Sequence, residues 1–465
     1  MDHEVTQPAK EGNKRSLLLQ YLQSTDDTYL RKRKRQWKMT RENQPTREII
    51  LPPTAKMGVD KLTEKQKFQA VSLWQEEQLK ALSRPVTKRQ LEMVSHLPPT
   101  ESWNSVLRLP VPNYQPDRAV RAAILDPQGW KRWKKEDAAY WAYRYPMNPT
   151  HTLQVYLGGP RPPLFEEAKE IVERFRLSMI LNSRICLSIW LGRRRDEHLT
   201  QTGSALINLD EILAIRGVKK SRTVVHKGEQ TTISYSNGYR WEDKQAIIDD
   251  LTLLQQCYIQ GACVINVNGQ WEDLGVEDDQ YLRFSLLTKR NERGIDERVG
   301  IFVTPGNWLN LHEAKNTFYI AEVEREVFKL NPQQDYHELL VGLALTERWR
   351  DLARKQDYAK PISMQGLLEA SVITVNKHNP SRFIKRITDA LDALFEKGIL
   401  GAPAKCLTPI DQTKSRWTGE WLASQWVLLP PKPIIEYYQQ SIAASPLMTE
   451  TIPIHKQRPQ RRRKE

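Results

Sequence analysis

The chain has 465 residues, 39% hydrophobic and 27% charged, and its 70 Lys and Arg against 56 Asp and Glu leave a formal charge of +14. This length supports two to four domains, each able to bury a core without covalent staples. No apolar run approaches the roughly 20 residues of a bilayer crossing, and residues through Arg15 lack a signal-peptide stretch, so the expectation is a cytoplasmic protein with no membrane partner.

Residues 1–60 read as a basic arm. Arg31, Lys32, Arg33, Lys34, Arg35, Lys38 and Arg41 form a strip with no acid in it, around Trp37. Such concentration of one sign is unfavourable unless a polyanion offsets it, and nucleic acid is the natural candidate beside solubility, anionic lipid or an acidic protein. Residues 61–160 read as a helical N-terminal region, with a helix over 61–97 and a proline-rich connector. Trp130, Trp133, Tyr140, Trp141, Tyr143 and Tyr145 then alternate with Lys and Arg. Those rings either fill a small helical core or stack on bases; the sequence leaves both open.

Residues 163–300 give the outline of a winged helix. A long helix begins near Phe165. A short one follows, capped by Asn208, with Asp210 and Glu211 in its first turn and Gly217 at its end. Alternation through Thr223, Val225, Thr231 and Ile233 suggests an inserted hairpin. A third helix is expected from Trp241 to Gln260, ending at Gly261, followed by strands at Val264–Val267 and Tyr281–Leu287. Residues 301–333 read as a linker helix.

The same order recurs over residues 334–431. Tyr336–Arg354 is the first helix, Ser363 caps the second, and Asn379 caps the third with Pro380 at its first position and Gly398 at its end. Ile399 and Leu400 start a strand, a polar excursion follows, and Gln425–Leu429 returns. Residues 432–465 are a basic tail, with Arg461, Arg462 and Arg463 near its end. The expected class is therefore α+β and mainly helical, with two tandem winged-helix domains between basic arms.

In the second module Arg382, Lys385 and Arg386 occupy the start of the third helix, where side chains meet base edges, with Lys377 and Asn379 just before it for phosphate. Lys405, Lys414 and Arg416 lie in its wing. The first module offers Arg240 and Lys244 on its third helix, Arg193, Arg194 and Arg195 after the first, and Lys219, Lys220 and Arg222 after the second. The alternative for each cluster is a solvated helix end. With Arg31, Arg33, Arg35 and the tail arginines, these form the candidate DNA-binding set.

Catalytic chemistry finds little support. There is no Gly-rich phosphate loop ending in Lys-Ser/Thr and no His-Glu-x-x-His. Cys186, Cys257, Cys263 and Cys406 include no Cys-x-x-Cys pair, and the acids Glu242, Asp243, Asp249 and Asp250 fit a solvated helix face. The expectation is a non-enzyme with no cofactor, metal or catalytic residue.

Two successive winged helices joined by a helix resemble the replication initiators of theta-replicating plasmids. The resemblance covers roughly residues 163–430 and is carried by Trp241–Gly261 with strand Tyr281–Leu287, and by Asn379–Gly398 with strand Gln425–Leu429. It implies binding to directly repeated origin sites, opening of an adjacent AT-rich region with host replication factors, and self-association into an inactive form. A repressor, a partition or recombination accessory protein, and a nucleic-acid-processing enzyme are the alternatives.

Overall fold

The computed structural model describes residues 83–85 and 106–443, apart from 136–137, 147–151, 159–164, 196–198, 201–202, 221, 228–229, 236–237, 268–269, 291–295, 310–319, 377, 409 and 411–416. In chain order the strands are β1 (Ser83–Pro85), β2 (Arg108–Pro112), β3 (Trp130–Lys135), β4 (Ala138–Pro146), β5 (Thr152–Leu157), β6 (Ala205–Ile207), β7 (Arg222–Lys227), β8 (Gln230–Tyr235), β9 (Cys257–Val267), β10 (Gln270–Gln280), β11 (Leu282–Arg290), β12 (Asp296–Pro305), β13 (Ile320–Glu324), β14 (Ile362–Ser363), β15 (Lys405–Cys406) and β16 (Gln425–Val427). The helices are α1 (Gln115–Leu125), α2 (Phe165–Glu173), α3 (Leu177–Arg195), α4 (Leu209–Ile215), α5 (Trp241–Leu254), α6 (Arg325–Lys329), α7 (Tyr336–Ala353), α8 (Met364–Ala370), α9 (Pro380–Glu396), α10 (Trp417–Ala423) and α11 (Lys432–Ala443). This is a mixed α+β chain with several helices and small, mainly antiparallel sheets. It divides into two units that interleave in sequence, one comprising 1–95, 115–183 and 245–317, the other 96–114, 184–244 and 318–465.

The first unit is built on a five-stranded antiparallel sheet in the order β10-β9-β5-β4-β3. Here the expectation of a helical aromatic region is corrected: past α1, the Trp/Tyr stretch forms strands. Trp130 faces Tyr143 and Trp133 faces Tyr140 across β3 and β4. Bulky aromatic side chains fit a pleated surface as well as a helix face, and cross-strand pairing decides between them. Trp130 is buried, donates from its indole to the Ala123 carbonyl of α1 at 2.7 Å, and meets Phe175 edge-on at 5.7 Å. A second sheet pairs β11 with β12 antiparallel and with β1 in parallel.

Several boundaries in this unit differ from the sequence reading. The long helix from Phe165 is two helices, α2 and α3, separated by a turn at Arg174–Arg176. The third helix ends at Leu254, and Gly261 lies inside β9 with φ +124°. A Cβ at Gly261 would come within 2.4 Å of the Thr152 carbonyl oxygen, so the glycine permits close strand approach and terminates no helix. An antiparallel hairpin, β9–β10, does follow α5. Its β9 is an interior strand between β10 and β5. The strand near Tyr281 pairs with β12.

The linker helix is also corrected: within 301–333 the end of β12 and the helical residues 307–309 belong to the first unit, and the second unit resumes with β13 paired with β2 and the single-turn α6. The remainder follows the expected order closely. α7 is buried along Leu339–Glu347, α8 is capped by Ser363 accepting from the Gly366 amide at 3.0 Å, and α9 by Asn379 accepting from the Arg382 amide at 3.3 Å. Phe383, Ile384, Ile387, Leu391 and Leu394 form the buried stripe of α9. Gly398 (φ +71°) closes it as expected, with the Ile399 amide donating to Leu394. Ile399 and Leu400 are buried turn residues and not a strand; β15 starts at Lys405, and α10 occupies part of the excursion. Three short strands form an antiparallel sheet in the order β14-β16-β15. Trp421 is buried against Phe383, edge-on at 6.3 Å.

Candidate nucleic-acid interface

α9 presents two chemically opposite sides. While its apolar stripe is buried, Arg382, Lys385 and Arg386 are exposed within its first two turns, and Asp389, Asp392 and Glu396 are exposed later. Among the described residues none of the three cations has an ion-pair partner. This arrangement opposes the helix dipole, whose positive end is the N-terminus. Like charges at that end repel the dipole and one another, and an external anion relieves both.

The entry to α9 is held by a residue the sequence reading missed. Asn376 accepts from the amides of His378 and Asn379 at 3.0 and 3.3 Å, folding the chain into the cap. The spacing of Asn376 and Asn379 was the available signal, since asparagine side chains close such turns on their own backbone. At the same end His337 meets Phe383 edge-on at 6.2 Å. Burial lowers its pKa, with Glu338 opposing and Arg386 adding.

Other candidates divide sharply. Lys405 is exposed in β15, Arg240 is exposed before α5, and Lys219 and Lys220 are exposed after α4. Arg194 is half-buried over the Trp190 ring at 5.2 Å, and burial lowers its pKa. Two candidates are already engaged by carboxylates. Arg193 is buried and bonded through Nη2 to both carboxylate oxygens of Glu211, at 2.7 and 2.9 Å, so it cannot reach a phosphate. Lys244 is held by Asp210 at 2.6 Å. Arg222 opens β7 and Arg195 closes α3. Lys377, Lys414, Arg416, the arm residues Arg31, Arg33 and Arg35, and the tail residues Arg461, Arg462 and Arg463 lie outside the described residues.

α5 is a poor counterpart to α9. Residues Asp250–Leu254 are consecutively buried, leaving its C-terminal half no face to offer a groove. Two of its acids are structural: Asp250 accepts from Arg176 at 2.6 Å and Asn182 at 2.8 Å, and Asp249 accepts from Gln245 at 2.7 Å. Among the described residues no group of three His, Cys, Asp or Glu side chains is placed to hold a metal ion, and no helix is long and apolar enough to cross a membrane. Cys186 and Cys257 are buried, and burial pushes both thiols up, Cys257 to about 12, so neither is a ready nucleophile.

Comparison with protein-family models, with curated proteins and with solved structures finds no match for this chain.

Proposed function

We propose that the chain binds double-stranded DNA in a sequence-selective manner, with α9 as the groove-facing helix of a winged-helix module spanning α7 to β16. The observation that carries this reading is the exposed cluster Arg382, Lys385 and Arg386 at the dipole-positive end of α9, with no ion-pair partner among the described residues. Support also comes from the order helix, strand, helix, helix, strand, short helix, strand (α7, β14, α8, α9, β15, α10, β16), with β14 before α8 pairing beside the returning strand β16. In such a module Arg382 and Arg386 would reach base edges, Lys385 and Asn379 phosphate, and Lys405 the backbone beside the wing. We do not propose α5 as a second reading helix.

The biological use we propose is initiation of replication of a plasmid or similar mobile element at repeated sites. Selection of bound sequences from random duplexes tests the binding step. A preferred motif is expected, with discrimination reduced by R382A/R386A more than non-specific affinity. Equal recovery of all sequences at physiological salt would overturn it. Unwinding of a neighbouring AT-rich region in the presence of host factors would distinguish an initiator from a repressor.

A further inference from the structure

We propose that the open face of the five-stranded sheet in the first unit is a stacking platform for single-stranded nucleic acid. The site is separate from α9, lies wholly within the other unit, and does not depend on the double-stranded reading.

Strand register assigns the faces. Trp130, Tyr143, Leu153, Val155 and Ile259 share one side through the pairs Trp130 with Tyr143, Tyr143 with Val155, Leu153 with Gly261 and Val155 with Ile259. That side is spent on the core beneath α1, as the Trp130 contacts show. Alternation then places Trp133, Tyr140, Arg144, Gln154, Tyr156 and Tyr258 together on the other side. Trp133, Tyr140 and Tyr258 are half-buried, and Arg144 is exposed.

The rings are held in place. Tyr156, buried at their centre, meets Tyr140 edge-on at 6.1 Å and Tyr258 at 5.8 Å, and donates its hydroxyl to Asp278 at 2.7 Å. Ala142, whose side chain is small, leaves room for the Arg144 guanidinium to lie 3.9 Å from the centre of the Trp133 ring. Gln154 Oε1 accepts from both the Tyr140 hydroxyl at 3.2 Å and Gln260 Nε2 at 2.8 Å. That leaves the Gln154 amide donor and the Gln260 acceptor without partners among the described residues, suited to base edges.

Chemistry selects the occupant. Side chains on one strand face repeat about every 7 Å and neighbouring strands lie about 4.8 Å apart, a spacing that splayed bases can follow from ring to ring. Lys131, exposed on the same face, and Arg144 add positive charge for phosphate, while the acid Asp278 is bonded to Tyr156. A duplex conceals its base faces and cannot use the rings. A protein partner of mainly apolar surface would leave Arg144 and the glutamine amides desolvated without bonds.

The test uses the full chain and fluorescein-labelled 15-nucleotide oligothymidine and oligouridine, with binding read by anisotropy and by quenching of tryptophan emission. Binding of either oligomer is expected, and their ratio reports whether the 2′-hydroxyl is read. Y140L/Y258L is expected to weaken it about tenfold or more, since each stacked ring contributes substantially. R144E, an exposed change that leaves the contacts among Tyr140, Tyr156 and Tyr258 in place, is expected to weaken it several-fold, which keeps the proposal testable should the double variant fail to fold. Duplex binding should be unchanged in R144E. Absence of oligomer binding at low salt, or unchanged affinity in R144E, would overturn the platform, as would full competition by an unlabelled duplex. None of these results bears on α9, whose test is R382A/R386A.

Discussion

Glu211 accepts from Arg193 Nη2 at both carboxylate oxygens and from the Asn208 amide at 2.8 Å, so one buried carboxylate joins the end of α3 to the start of α4. A charge withdrawn from water is tolerated only with its partner; removing one side strands the other. R193A and E211A are each expected to lower unfolding free energy by about 3 kcal/mol or more in urea titrations. The R193M/E211L pair should cost far less than the two alanine effects summed. Simple additivity would show that the two groups are not coupled.

Two glycines with positive φ should respond differently to alanine. At Gly261 the new methyl would strike the backbone of β5, whereas at Gly398 (φ +71°) it enters open space. G261A is expected to cost about 3 kcal/mol or more, and G398A only the conformational term of about 1 kcal/mol. Thermal unfolding of the two variants side by side decides this; equal losses would remove the steric argument for Gly261.

Val372 adopts φ +55° in the turn between α8 and α9, a conformation costly for a β-branched side chain. The strain is held by the hydrogen bond from the Ile373 amide to Leu368 at 2.9 Å. V372G is expected to raise stability by about 1 kcal/mol. A lower denaturation midpoint would mean that the valine's packing outweighs its strain.

Burial pushes the Glu324 carboxyl up to about 7, with Arg108 opposing and Glu322 and Glu326 adding. The folded chain therefore holds a proton that the unfolded chain releases above about 4.5. This contribution is complete below that value and is lost as pH rises through 7. Because the side chain is partly exposed, solvent screening reduces the effect to roughly 1 kcal/mol. E324Q should match the parent near pH 5 and exceed it at pH 8 in guanidinium titrations; identical pH profiles would exclude the titration.

Features that depend on neighbouring residues were legible in the sequence. Asn208, Ser363 and Asn379 cap α4, α8 and α9 because each bonds an amide two or three residues ahead. The stripe through Phe383, Ile387 and Leu394 announces which side of α9 is buried, and so left Arg382, Lys385 and Arg386 on the other. The hairpin β7–β8 was equally visible in its alternation.

Tertiary structure decided what depends on partners distant in the chain. Nothing near Trp130 or Tyr143 distinguishes a helix from a strand; Gln154 meeting Gln260, 106 residues away, belongs to the pairing that makes it a sheet. Arg193 and Lys244 resembled free cations until Glu211 and Asp210 were brought against them. Charge is local to a residue, but its availability is a property of the fold. Burial and pairing set the cost of desolvation, and neither is written in the spacing of residues along the chain.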